Sequence, residues 1–167
     1  MANFINTRAI YLGVLLSISN YSLADSSLNF FMTTLSIFSY AKWTTPTPTL
    51  CVVENPSYAS QFSNYIKANN HPFIVDAIQS SELKSRHCNA VFFSNTTAQT
   101  EQNLINKSLN TSILSFSTSN AECEIGSVFC LSTNKSGKTI FKVNLDSLAQ
   151  SKIHVDPRVL LLAKNTD

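Results

Sequence analysis

LCVVENPSYASQFSNYIKANNHPFIVDAI, residues 50–78, sets the architecture. Leu50 to Glu54 is a short apolar run of strand length, too short for a helix. Asn55-Pro56-Ser57 then opens a helix, with proline placed where a first-turn N–H is not needed. Phe62, Tyr65 and Ile66 fall on one face of that helix. Asn69-Asn70-His71-Pro72 breaks it, and Phe73 to Ile78 reads as a second strand. A strand, a helix and a strand in this order form a parallel crossover unit.

Working outward, the alternation continues. A short polar turn or helix runs to Arg86, Ala90 to Phe93 is a buried strand, Thr96 to Lys107 is helical and Ser112 to Phe116 is a strand. Val128 to Ser132 and Thr139 to Leu145 flank Asn134-Lys135-Ser136-Gly137-Lys138, a hairpin signal. Asp146 to Gln150 makes a short helix, and Asp156-Pro157 starts a terminal one, with Asp156 as the cap and Pro157 at the first helical position. Upstream, Ser26 or Ser27 caps a helix carrying Leu28, Phe31, Met32, Leu35 and Phe38 that ends near Trp43. Thr44-Thr45-Pro46-Thr47-Pro48 follows as a stiff extended linker. The expected fold is α/β: a single domain with a mostly parallel mixed sheet, an antiparallel hairpin, and helices packed on its faces. An α+β arrangement is the alternative.

Residues 1–24 read as an address. A short n-region with Arg8 precedes the apolar run Ala9 to Ile18, and Ser22-Leu23-Ala24 supplies small residues for cleavage after Ala24. The run is too short to cross a bilayer. The working domain is then residues 25–167, an exported chain, with an uncleaved membrane anchor as the alternative.

Composition narrows the function. Of 167 residues, 13% are charged, about half the usual share. Ser, Thr and Asn supply 56 residues instead. A net charge of +2 offers no basic stripe for nucleic acid. An apolar content of 44% is enough for a core and argues against disorder.

Export turns the four cysteines into disulfide candidates. Three pairings are possible. Cys51–Cys88 with Cys123–Cys130 is favoured, because Cys51 and Cys88 adjoin strands that, if parallel neighbours, put both thiols at one end of the sheet. Gly126 supports a reversal between the other two. No CxxC or HxxxH spacing suggests a metal, and no cofactor is expected.

Catalytic constellations are weak. Glu122 and Glu124 would share a face on a strand but read more simply as a solvated loop edge. His87 next to Cys88 has no nucleophile to activate if Cys88 is oxidised, and His71 before Pro72 reads as a surface residue. Phosphate-loop, Rossmann, EF-hand and GxSxG patterns are absent. A binding or interaction module is therefore expected rather than an enzyme. Its best signal is C-terminal: Val159-Leu160-Leu161-Leu162 cannot all face one core on a two-turn helix, so either the helix is sandwiched or Ile153, Val155, Val159, Leu160 and Leu162 contribute to a partner-binding patch. Lys42, His154 and Arg158 are candidates for a small-anion site.

Several strings resemble one family. They are Phe38-Ser39-Tyr40-Ala41-Lys42-Trp43, Cys88-Asn89-Ala90-Val91-Phe92-Phe93, Glu122-Cys123-Glu124-Ile125-Gly126-Ser127-Val128-Phe129-Cys130, Phe141-Lys142-Val143-Asn144-Leu145-Asp146 and Val155-Asp156-Pro157-Arg158-Val159-Leu160. Together they resemble the YfiR-like family across residues 28 to 163. Proline, which tends to follow the Trp directly in that family, is delayed here to Pro46, and Ile125-Gly126 stands where many members have two glycines. The resemblance implies a periplasmic repressor that binds the periplasmic sensory domain of an inner-membrane diguanylate cyclase of the YfiN type. It would hold down cyclic-di-GMP synthesis and biofilm formation, and be relieved by an outer-membrane lipoprotein of the YfiB type or by reduction. It also implies a homodimer and the same two disulfides. A periplasmic small-ligand-binding protein with no cyclase partner is the alternative.

Overall fold

The computed structural model describes residues 24–110 and 112–163, with side chains from residue 29 onward. The proposed signal segment lies outside the described residues, apart from the backbone of Ala24. Five helices and six strands follow in chain order: α1 (Ala24–Ser39), β1 (Thr49–Val53), α2 (Pro56–Ala68), β2 (Ile74–Ile78), β3 (Ala90–Phe93), α3 (Ala98–Asn106), β4 (Leu114–Ser117), β5 (Phe129–Thr133), β6 (Thr139–Val143), α4 (Leu145–Ser151) and α5 (Pro157–Ala163). A single 3-10 turn, Ser80–Glu82, joins β2 toward β3.

All six strands form one sheet in the order β2-β1-β3-β4-β5-β6. The first five run parallel, and β6 returns antiparallel to β5 through the hairpin. The expected α/β class and mixed sheet are borne out.

The helix starts read at Asn55-Pro56-Ser57 and at Asp156-Pro157 hold. Asn55 accepts the Tyr58 N–H at the start of α2, with Pro56 in the first turn. Asp156 caps α5 by accepting the Arg158 N–H at 2.9 Å. Strand and helix ends shift by a residue or two elsewhere, and both ends of α1 differ from the sequence reading. The α1 helix begins at Ala24, ahead of Ser26 and Ser27, and stops at Ser39. Trp43 therefore stands outside it, folded back so that its indole N–H donates to the Phe38 carbonyl at 2.8 Å. The chain leaves the helix because Ala41 pairs with Val155 in an antiparallel bridge, a long-range contact that local pattern does not reveal.

Strand alternation divides the core in two. Leu50, Val52, Ala90, Phe92, Leu114 and Phe116 face α1, α2 and α5. Phe31, Phe62 and Phe92 stack edge-on there, at 4.6 and 5.0 Å between centroids. Cys51, Val53, Val91 and Phe93 face the opposite way, toward Leu83, Ile113 and the Leu104 and Ile105 side chains of α3. Burial on both faces is why these strands read as continuous apolar runs.

One core position runs against this economy. Thr34 is fully buried in α1, and its hydroxyl has no hydrogen-bond partner among the described residues. Valine has nearly the same shape without the desolvated oxygen. Thr34→Val is expected to stabilise by about 1 kcal/mol, raising Tm by roughly 3 °C. A thermal scan in which Tm falls would show that the hydroxyl has a partner.

Candidate functional site

The second sheet face changes character across its width. Over β1 and β3 it is apolar. Over β4, the alternation Leu114-Ser115-Phe116-Ser117 points two serines toward it. Both are buried. Above them lies Glu101 of α3, fully buried and set in a shell of donors. Its Oε1 accepts from Ser117 Oγ at 2.6 Å and Thr96 Oγ1 at 3.3 Å. Its Oε2 accepts from Ser127 Oγ at 2.9 Å, Ser127 N–H at 3.2 Å and Asn120 Nδ2 at 3.2 Å. A carboxyl group without these partners would be expelled from such a place.

These bonds anchor segment 118–128, which crosses from β4 to the parallel β5 without a helix. Asn120 reaches on to the Ile125 carbonyl and accepts the Cys123 N–H. The Cys123–Cys130 disulfide closes the segment, with Cα atoms 5.7 Å apart. Gly126 sits at φ +86° against α3, where a Cβ would lie 2.8 Å from the Ala98 carbonyl and 2.9 Å from Glu101 Oε2. Only glycine fits both the backbone and the space. The second bridge, Cys51–Cys88, ties β1 to the approach of β3, again with a 5.7 Å Cα separation. Both favoured pairings are present.

The other functional feature is an apolar surface where α1, β6 and α5 meet. On one side of α5, Met32, Ile37, Tyr40, Ile140, Phe141, Val159 and Leu162 line a groove of about 560 Å³. On the other side, Val143, Leu145, Leu160 and Ala163 line a second of about 370 Å³, with Glu122 and Lys142 at its edge. Leu161 and Leu162 are 58% and 59% exposed. β6 is the end strand of the sheet, so its outer edge is free of any strand among the described residues.

The five apolar residues expected at a partner surface do not share one face. Val155 and Val159 are core residues, Val155 through its bridge to Ala41 and Val159 as the floor of the larger groove. Ile153 turns toward Lys42 and Trp43 in a separate cleft. Leu160 and Leu162 lie on opposite sides of α5. The exposed part of the stripe is thus Leu161 and Leu162, with Leu160 half-buried against the core, joined by Met32 and Tyr40 from α1 and the turn that follows it.

The three candidate anion ligands divide as well. Lys42 and His154 are adjacent, the Lys42 N–H donating to the His154 carbonyl at 2.8 Å. Arg158 is occupied by Asp156, donating from Nε at 3.0 Å and Nη2 at 2.7 Å, and its guanidinium lies 5.8 Å from the Tyr40 ring centre. Those Arg158 hydrogen bonds hold the Asp156 carboxyl down at about 2. Glu122 and Glu124 sit in the disulfide loop, not on a strand, and both are exposed. His87 hydrogen-bonds Asn110, beside an oxidised Cys88, and His71 stacks on Phe73. Among the described residues no group of three His, Cys, Asp or Glu side chains is arranged for a metal.

Sequence reading missed Glu101 and its shell. Its signals were the Leu-Ser-Phe-Ser alternation of β4 and the lone glycine of the disulfide loop, and neither points to a helix glutamate without the topology. The two disulfides, the parallel sheet and the Val155-to-Leu160 segment are also the features on which a family assignment rests. The sequence matches the family described as YfiR/HmsC-like over residues 31–164, which spans every strand and all of the sites above. The chain belongs to the YfiR/HmsC-like family.

Proposed function

We infer that this protein is an exported repressor, which binds the periplasmic sensory domain of an inner-membrane diguanylate cyclase of the YfiN type and holds its cytoplasmic output low. Family membership supports a periplasmic regulator of diguanylate cyclase signalling, and the two buried disulfides fit an oxidising compartment. Export would use a signal cleaved after Ala24. No enzymatic role is proposed.

The observation that carries the reading is the exposed apolar surface around α5, bounded by the free edge of β6. Leucines more than half exposed on a two-turn helix cost solubility unless a partner covers them. A repressor acts by favouring the inactive cyclase conformation, so the docked surface must distinguish two states of the partner. An outer-membrane lipoprotein of the YfiB type that covers the same surface would relieve repression by competition, and reduction would relieve it by loosening the fold. A homodimer is compatible with two grooves per chain, one for the second copy and one for the cyclase.

Deleting the gene is expected to raise cellular cyclic-di-GMP several-fold, and the rise should vanish in a strain that also lacks the partner cyclase. Mass spectrometry of the nucleotide pool reads both. Unchanged levels in the single deletion would contradict repression and favour a ligand carrier with no cyclase partner.

A further inference from the structure

The cleft between α3 and α4 contains a cavity of about 220 Å³ whose floor is Ser115 of β4. Its wall comprises Gln102 and Asn106 from α3, Ser147, Gln150 and Ser151 from α4, and Gly126 from the disulfide loop, with Ile105 and Ile113 as apolar patches. No charged side chain lines it. An ion entering would find no opposite charge to offset its lost hydration, which disfavours anions and cations relative to a neutral ligand. Glu101 stands behind Gly126 with both oxygens already engaged.

The polar groups are unevenly spent. The Ser115 hydroxyl is 1% exposed and accepts the Val128 N–H at 3.0 Å, yet its own hydrogen has no acceptor among the described residues. Gln150 makes no side-chain hydrogen bond among them. Gln102 uses Oε1 for the Gly126 N–H and one Nε2 hydrogen for Asn106, leaving the second hydrogen available. Ser147 donates to the Gly126 carbonyl and keeps its acceptor capacity. The cavity therefore offers donors and acceptors mixed at short spacing beside two isoleucines. Hydroxyl groups on a carbon ring, which both donate and accept and carry apolar C–H faces between them, answer that pattern.

We propose that this cavity is a binding site for a small neutral polyol of monosaccharide size. Its volume lies below the roughly 300–1,000 Å³ of drug-sized sites, which limits the occupant to about one ring. Binding would bridge α3, α4 and the Gly126 turn and so tighten the Cys123–Cys130 loop. The proposal rests on the cavity alone and stands whether or not a cyclase is the partner.

The test is an NMR titration of the oxidised, signal-cleaved protein with glucose, N-acetylglucosamine and glycerol, and with gluconate as the charged counterpart. At least one neutral probe should bind with a Kd of about 1 mM or tighter, with shifts confined to the amides of α3, α4 and 125–127. Gluconate should bind at least tenfold more weakly. Gln150→Leu, at the exposed rim, should weaken binding several-fold with Tm unchanged, and Ser115→Ala should weaken it at least tenfold. The absence of any neutral-probe shift at tens of millimolar, shifts scattered over the surface, or equal binding of gluconate would each overturn the proposal.

Discussion

Glu101→Ala is expected to destabilise the protein by about 3–5 kcal/mol, read as a lower urea midpoint at unchanged slope. The magnitude has two sources. Removing the side chain opens a void between α3 and the loop, which the surrounding backbone cannot fill because Gly126 already touches α3 at its limit. It also strands groups that cannot turn toward water. Among the described residues the Ser127 N–H has no other acceptor and the Ser127 hydroxyl loses its own while staying buried, whereas the Ser117 hydroxyl keeps only the longer 3.4 Å contact with Ser119 Oγ. Asn120 is less affected, because it keeps the Ile125 carbonyl. Glu101→Gln preserves the volume but sets an amide N–H₂ against donors, so its cost should fall between wild type and alanine. Hydrogen exchange at Ser127 should accelerate in both variants. An alanine variant within about 1 kcal/mol of wild type would mean that water replaces the carboxyl group at no cost.

The second large effect belongs to the Cys51–Cys88 bridge. The sequence separation of 37 gives a chain-entropy contribution of about 4 kcal/mol. Against the ~5–15 kcal/mol net stability of a small domain, that is a large fraction. The Cys123–Cys130 bridge, with a separation of 7, contributes about 2.5 kcal/mol by the same reasoning. Glu101 and Asn120 hold its loop independently, so its removal costs no more than that. Cys51→Ala/Cys88→Ala should therefore destabilise more than Cys123→Ala/Cys130→Ala in chemical denaturation. The reverse order would show that the short loop, not the strand tie, carries the stability. Combining Cys123→Ala/Cys130→Ala with Glu101→Ala should cost more than the sum of the two, because each constraint holds the loop when the other is gone.

Much of the fold was legible because local and long-range signals agree. Residues 50–78 carry strand, cap, helix stripe and strand in the order that a parallel crossover requires, and β1, α2 and β2 follow within a residue or two. The helix start at Asn55-Pro56-Ser57 and the cap at Asp156 were equally plain. The end of α1 was not, because it is set by the Ala41–Val155 bridge between segments far apart in sequence. The site was only half legible. Four apolar residues in a row at Val159 to Leu162 signal a surface, yet only the packing of α5 shows that Val159 goes in and Leu161 and Leu162 stay out. Glu101 is the clearest omission. A glutamate in a polar helix reads as solvated, and its partners come from β4, from the helix entry and from a loop 26 residues away.

Repression as proposed requires the α5 surface to dock on the periplasmic domain of a diguanylate cyclase. Isothermal titration calorimetry of the oxidised protein against that purified domain tests it most directly, with Leu162→Arg as the control variant. Leu162 is 59% exposed, so arginine there leaves the core intact while placing charge in the proposed contact. The native chain is expected to bind with a Kd of about 1 μM or tighter, weakened at least tenfold in the variant with unchanged Tm. No measurable binding by the native chain, or equal binding by the variant, would contradict it.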